Sequence, residues 1–267
     1  MSGVLGLLTD FGLRDGYVGV MKAVALDIAP GISIVDISHD IAPQDIEMGS
    51  WTLGACWRYF PAGSVLVCVV DPGVGSQRRP IAFSAGGCSF VGPDNGLFTH
   101  ALAQGNVARC VALTNPAYHL PHASATFHGR DIFAPCGAHL LAGAPLESLG
   151  ELVDSETLVR LPIPLAPVWE AGALAGRVAH VDHYGNLITD IVLPDANALL
   201  APDVRVEIVG RPVAAAATHF AAGPEDQPFA YRDSSGALAI AVRNGSAAIK
   251  LGIGRGAEAR VWGLPRA

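Results

Sequence analysis

Three prolines within six residues, Pro162, Pro164 and Pro167, split this chain into two stretches of different texture. Proline fixes φ and lacks an amide hydrogen, so this run cannot continue a helix and reads as a stiff, extended linker. Before it, short apolar runs alternate with helical periodicity. Val4 to Leu8 reads as a buried strand, after which Val18, Met21, Ala25 and Ile28 recur at helical spacing until Pro30-Gly31. Ile32 to Ile37 gives a second strand, and Ile46, Leu53, Trp57 and Phe60 share a second helical face. Ser64 to Cys68 is a third apolar strand, and the runs at Ile81 and Cys88 form a hairpin across Gly86-Gly87. Strands alternating with helices call for right-handed crossovers and a largely parallel sheet. After the prolines, Arg177–Val181, Asn186–Val192, Val204–Val209, Ala237–Val242 and Ala259–Trp262 read as strands, which predicts a small β-barrel or sandwich. The expected organisation is an α/β domain over residues 1–160, a linker over 161–168 and an all-β domain over 169–267.

Charged residues make up only 15% of the 267 residues and hydrophobic ones 51%, a balance that fits a surface partly covered in an oligomer. The formal net charge is −7 and no block of basic residues occurs, which argues against nucleic acid or an anionic membrane surface as partner. No apolar run reaches membrane-spanning length, and the N-terminus lacks the pattern of a signal peptide. Five dispersed cysteines, Cys56, Cys68, Cys88, Cys110 and Cys136, read as reduced core thiols of a cytoplasmic protein, with neither a disulfide frame nor a metal site.

Polar residues gather at the predicted strand ends. Asp10, Asp36 and Asp71 lie at or near the ends of three strands, and ligands of open α/β sheets sit in the crevice beyond those ends. Asp71 opens the loop Asp71-Pro72-Gly73-Val74-Gly75-Ser76-Gln77-Arg78, so a carboxylate and a guanidinium share one loop and could hold a small polar molecule such as water. Asp-Pro-Gly is also simply a good turn. Asp10, in Thr9-Asp10-Phe11-Gly12, suits a ribose diol or, equally, a helix N-terminus. His128, before Gly129 in a loop, could exchange protons near neutral pH, whereas His39, His100, His119, His122 and His139 read as solvated or capping residues. The β-rich half offers Asp182-His183-Tyr184-Gly185-Asn186, Phe220 and Asp233-Ser234-Ser235. No G-x-G-x-x-G follows the first strand, which argues against an ordinary dinucleotide enzyme.

Six motifs in one order (Thr9-Asp10-Phe11-Gly12, Asp36-Ile37-Ser38-His39, Asp71-Pro72-Gly73-Val74-Gly75, Gly92-Pro93-Asp94-Asn95-Gly96, Thr126-Phe127-His128-Gly129-Arg130-Asp131 and Asp182-His183-Tyr184-Gly185-Asn186) span nearly the whole chain. The series resembles the adenosine-forming S-adenosylmethionine (SAM) hydrolases, or SAM hydroxide adenosyltransferases, relatives of fluorinase and chlorinase. The resemblance implies a Rossmann-like α/β domain, a C-terminal β-barrel and a homotrimer with active sites between subunits. It implies SAM as substrate and no cofactor or metal. Asp71, Arg78 and His128 match the residues that handle the attacking water. Asp10 matches the ribose carboxylate, Asp182 the contact to the methionine amine, and Ser234 lies in the segment that holds its carboxylate. Asn186 and Phe220 match adenine contacts, with Arg243 to Gly245 near the purine edge. Asp233 departs from the pattern, since related sequences commonly carry Asn there.

The halogenating relatives place tyrosines where this chain has Asp71 and His128, serine at Gly129 and tryptophan at Gln44. A carboxylate facing the nucleophile would repel a halide, so the resemblance favours water over fluoride or chloride. The rival readings are a SAM-dependent halogenase, a non-catalytic binder of adenosine or SAM, and a structural protein suggested only by the low surface charge.

Overall fold

The computed structural model describes residues 3–163 and 166–265. The chain divides into two compact units, Met1–Pro162 and Ile163–Ala267. The proline-rich segment includes residues 164 and 165, which lie outside the described residues.

The first unit is built on a six-stranded sheet of β1 (Val4–Thr9), β2 (Ser33–Ser38), β3 (Val65–Val69), β4 (Pro80–Ala85), β5 (Cys88–Pro93) and β6 (Val107–Ala112). Its order is β2-β1-β3-β5-β4-β6. Only β4 runs against the others, paired antiparallel with β5 and with β6. The largely parallel sheet and the glycine-turned hairpin expected from the sequence are both present. Neither β6 nor the short helix α3 below was foreseen.

Among the described residues, four α-helices cover this sheet: α1 (Tyr17–Ile28), α2 (Ile46–Cys56), α3 (Thr99–Gln104) and α4 (Ala134–Leu141). Met21 and Ala25 of α1 and Ala134, Cys136 and Ala138 of α4 join one core with Val65, Val67 and Val69. Leu53 of α2 and Ala101 and Leu102 of α3 join a second core with Leu66, Cys68 and Val70. Successive residues of β3 therefore feed opposite cores, which is why that strand is a continuous apolar run without polar alternation. Each fully buried aliphatic side chain contributes about 1.5–3 kcal/mol by leaving water.

Among the described residues, the second unit has nine strands: β7 (Val168–Glu170), β8 (Ala173–Val181), β9 (Leu187–Val192), β10 (Arg205–Ile208), β11 (Arg211–Pro212), β12 (Ala215–Ala216), β13 (Pro228–Arg232), β14 (Ala237–Val242) and β15 (Glu258–Trp262). They form one path, β11-β10-β15-β8-β9-β14-β13-β12, with β7 beside β8. Val206 and Ile208, towards one end of the path, share a core with Ala230, Ile240 and Leu238 towards the other. Strands so far apart along the path meet in one core only if the sheet curls around it. The short helix α5 (Ala247–Leu251) closes part of that core through Ala247, and Ser246 caps it by accepting the Ile249 amide at 3.1 Å.

Candidate active site

In the first unit, β1 and β3 are parallel neighbours, with Thr9 opposite Val69, so Asp10 and Asp71 emerge side by side beyond the same sheet edge. Asp36 does not join them as a strand-end residue. It lies inside β2 opposite Leu7, and its carboxylate accepts from Lys22 Nζ at 2.7 Å.

Arg78 organises the cluster around Asp71. Its Nε donates to Asp71 Oδ1 at 2.9 Å, its Nη2 donates to Asp71 Oδ2, and the same Nη2 donates to His128 Nδ1 at 2.7 Å. One guanidinium thus joins a carboxylate seven residues away to an imidazole fifty residues away. The Asp71 and Arg78 side chains are 4% and 9% exposed, so this pair is buried as well as bidentate. The guanidinium also lies 5.2 Å from the centre of the Phe133 ring.

His128 is not in a loop. It has helical φ and ψ and leads directly into a π-helical turn, Gly129–Phe133, that continues into α4. Because arginine has no acceptor, the bond from Arg78 requires an unprotonated Nδ1. Burial first, and the Arg78 charge second, push the His128 pKa below its ordinary value, against the opposing pull of Asp71 and Asp131. His128 is therefore neutral around pH 7.

Local packing brings these distant segments together. Gly75 has φ of +78°, and a Cβ there would lie 2.6 Å from the Ala125 carbonyl oxygen, so the Arg78 loop seats directly on the backbone that precedes His128. Asp131 braces that backbone by accepting the Ser124 amide at 2.7 Å. Phe11 and Phe127 pack edge to face at 5.8 Å, which sets the loop of Asp10 against the segment of His128. Asn95 donates to the Val70 carbonyl at 2.8 Å and fixes the end of β3. Arg79 turns the other way and pairs with Asp94.

Asp10 Oδ2 accepts the Gln44 amide at 2.8 Å. The sequence reading missed His39, which it took for a solvated or capping residue. His39 is only 4% exposed, and its Nδ1 shares a 2.8 Å hydrogen bond with Thr9 Oγ1. Its position after an apolar strand, opposite a threonine that ends the neighbouring strand, was the available signal.

The second unit holds the remaining candidates. Asp182 Oδ1 accepts the amides of Tyr184 and Asn186 at 2.9 and 2.8 Å, and Oδ2 accepts from Asn186 Nδ2 at 2.8 Å. Asn186 Oδ1 is buried with no protein partner. The Gly185 carbonyl accepts the Ala248 amide at 3.0 Å, tying this turn to the segment that follows Arg243 and Gly245. Arg243 pairs with Glu225 and reaches the carbonyls of Ala221 and Gly223 next to Phe220. Phe220 is 39% exposed and meets Tyr231 at 6.4 Å.

Tyr231 was also missed. Burial, then the charges of Asp182 and Asp233, push its phenol up to about 12, so its hydroxyl stays protonated and can donate. Ser234 is exposed, and beside it Asp233 Oδ1 accepts the amides of Ser235 and Ala237 at 2.9 and 2.8 Å. Those are bonds an asparagine oxygen would make equally well, so the Asp233 departure leaves the turn intact. Among the described residues, no three His, Cys, Asp or Glu side chains gather as a metal site.

Residues 5–150 match the family model for the SAM hydroxide adenosyltransferase N-terminal domain, and residues 176–260 match that for the C-terminal domain. The chain belongs to the SAM hydroxide adenosyltransferase family. Within this family it is 42% identical to a protein of Thermus thermophilus named (R)-S-adenosyl-L-methionine hydrolase, over 95% of this chain and 97% of the relative. It is 41% identical to a protein of the same name from Salinispora tropica, over 96% and 97% of the two chains. A fluorinase of Actinopolyspora mzabensis is more distant, 25% identical over 97% of this chain and 96% of its own. Among solved structures, an uncharacterized conserved protein from Thermotoga maritima superposes with a TM-score of 0.89 at 36% identity, covering 97% of this chain and 100% of its own.

Proposed function

We propose that this adenosyltransferase-family chain hydrolyses S-adenosyl-L-methionine to adenosine and L-methionine. The observation that carries the reading is the buried Asp71–Arg78–His128 cluster at the sheet edge beside Asp10. Water attacks the ribose C5′, the new C–O bond forms, and the C5′–S bond breaks with its electron pair going to sulfur. Methionine leaves as a neutral thioether, so no general acid is needed at the leaving group. The proton of the attacking water is the one that must be placed. Arg78 occupies His128 Nδ1 and one lone pair on each Asp71 oxygen, which leaves Asp71 a further lone pair to accept that proton before solvent takes it. Holding the water in line contributes through positioning as much as through basicity. Neutralisation of the sulfonium by a hydroxide-like oxygen is favoured in a water-poor site.

Asp10 accepts from the ribose hydroxyls. Asn186 supplies its unpartnered Oδ1 to the adenine, Phe220 stacks on the ring, and Arg243 and Gly245 flank the purine edge. Asp182 retains lone pairs for the methionine ammonium, and Ser234 holds the carboxylate. We infer a Rossmann-like domain over residues 1–160 with a linker over 161–168, and a β-barrel domain over 169–267. The assembly is a homotrimer with active sites at subunit interfaces. The exposed apolar side chains of Leu13, Tyr17 and Val20 support the assembly, and five free cysteines support a cytoplasmic setting. The reaction needs no metal or cofactor.

The test is product analysis after incubating the purified protein with SAM, with and without chloride or fluoride. Halide-independent release of adenosine and methionine is expected. A halogenated nucleoside would replace this reading with a halogenase, and bound but intact SAM would replace it with a binder.

A further inference from the structure

We propose that His39 is the positioning residue for the Asp10 carboxylate and thereby sets the preference of the site for an intact ribose diol. The inference rests on the role given to Asp10 above. His39 holds the chain on both sides of Asp10. Its Nδ1 bonds Thr9 Oγ1 at 2.8 Å, and its own carbonyl accepts the Gly12 amide at 2.8 Å. Thr9 is fully buried, and its hydroxyl oxygen also accepts the Phe11 amide at 3.2 Å, so one side chain fixes the backbone one residue before and one residue after Asp10. The same segment, five residues further on, donates the Gln44 amide to Asp10 Oδ2 at 2.8 Å. Gln44 makes that contact with φ of +67°, a backbone region unfavourable for a residue with a side chain. The surroundings of His39 over-determine a conformation that points at Asp10.

The orientation of the imidazole is itself set. Nε2 lies 3.1 Å from Asp36 Oδ1, off the line of a regular hydrogen bond but within strong electrostatic reach, and Asp36 is held in turn by Lys22 of α1. A carboxylate beside Nε2 favours the proton on that nitrogen, so Nδ1 accepts the Thr9 hydroxyl proton. The relay therefore runs from Lys22 through Asp36 and His39 to Thr9, and ends on the turn that carries Asp10.

A buried histidine that only stabilised the fold would, when altered, weaken every ligand alike. A histidine that aims Asp10 affects only ligands that offer ribose hydroxyls to that carboxylate. The experiment is calorimetric binding of adenosine and 2′,3′-dideoxyadenosine to the wild type and to His39→Gln, His39→Asn and Thr9→Val. The wild type is expected to prefer adenosine by about tenfold or more, the worth of one hydrogen bond to a charged group. His39→Gln, which lacks a polar atom at the Nδ1 position, and Thr9→Val, which removes the same bond from the other side, should reduce that preference to about threefold or less. Their affinity for 2′,3′-dideoxyadenosine should stay within about twofold of the wild type, and His39→Asn, whose amide reaches the Nδ1 position, should keep most of the preference. Should His39→Gln fail to fold, Thr9→Val carries the comparison. An unchanged preference in the variants, or equal weakening of both nucleosides, would overturn the role of His39 while leaving that of Asp10. A wild type that shows no preference would overturn the Asp10 reading, and this inference with it.

Discussion

Two adjacent arginines, Arg78 and Arg79, serve different carboxylates, and burial sets how much each matters. Arg78 shields Asp71 where both side chains are almost fully covered, whereas the Arg79 side chain is 38% exposed beside Asp94. Breaking a buried pair leaves an uncompensated charge, so Arg78→Ala should cost about 3 kcal/mol in urea unfolding. It should also lower turnover by about a hundredfold or more, since it removes the group that joins Asp71 to His128. Asp71→Asn should lower turnover to a similar degree, about a hundredfold, while adenosine binding changes little. Arg79→Ala is the control: some loss of stability, with turnover within about threefold of the wild type, because hydrogen bonding to Asp94 lies outside the chemistry. Full activity in Asp71→Asn would end the role given to that carboxylate. The pH dependence follows from His128. Its folded pKa is depressed by burial and by Arg78, so the unfolded chain binds the extra proton first as pH falls. The stability it contributes is complete above about pH 6.5, the ordinary histidine value, and is lost as pH drops through the lower folded value. Turnover should follow the same limb, because a protonated Nδ1 cannot accept from Arg78. A kcat profile that stays flat through the pH at which NMR shows the folded His128 taking up its proton would contradict this. The identities of Asp71, Arg78 and His128 were readable as motifs. That one guanidinium nitrogen touches both partners was not, since fifty residues separate Arg78 from His128.

At the level of elements, the site depends on how loops seat on one another. The Arg78 loop reaches the His128 segment only because Gly75 brings its backbone against Ala125. Gly75→Ala would place a side chain in a left-handed conformation and against a carbonyl oxygen, and should destabilise by about 2 kcal/mol. Its loss of turnover should exceed that of a core variant of equal stability, which parallel urea melts and kcat measurements would show. A Gly75→Ala enzyme with wild-type turnover would mean that this seating does not set the Arg78 geometry. The elements themselves were unequally legible. β1, β3 and the hairpin of β4 and β5 announced themselves by apolar runs and a Gly-Gly turn. β6 did not, because Arg109 and flanking polar residues break its pattern, and its partner β4 supplies the missing definition. β13 begins at Pro228, a residue that normally argues against a strand, and it forms because its register with β14 places Phe229 opposite Ala241. The π-helical turn at Gly129–Phe133 has no sequence signature, although it sets where His128 leaves the helix.

At the scale of the whole molecule, the five thiols, all in the first unit, report on how completely that unit is closed. Burial pushes Cys136 up to about 12 and Cys56 and Cys110 up to about 11, so none is an ionised nucleophile near neutral pH. A thiol reagent at pH 8 should therefore react slowly with the native protein and rapidly with all five after unfolding in guanidinium; prompt native labelling of more than one would contradict the buried placement. Light scattering tests the proposed trimer, and a monomer at micromolar concentration would remove it. The sequence alone determined the alternation of buried strands and helices in the first unit and the β-rich texture of the second, though not its short helix α5, because periodicity and proline placement act locally. It also supplied the ordered motifs that give the family. Tertiary structure decided which of those motif residues act together. Asp71 meets His128 through Arg78, Asp10 accepts from Gln44, His39 bonds Thr9, and Tyr231 stands among Asp182, Asp233 and Phe220. Such pairings depend on strand order and loop seating, and the free energy that fixes them comes from contacts between segments distant in the chain, which no local pattern records.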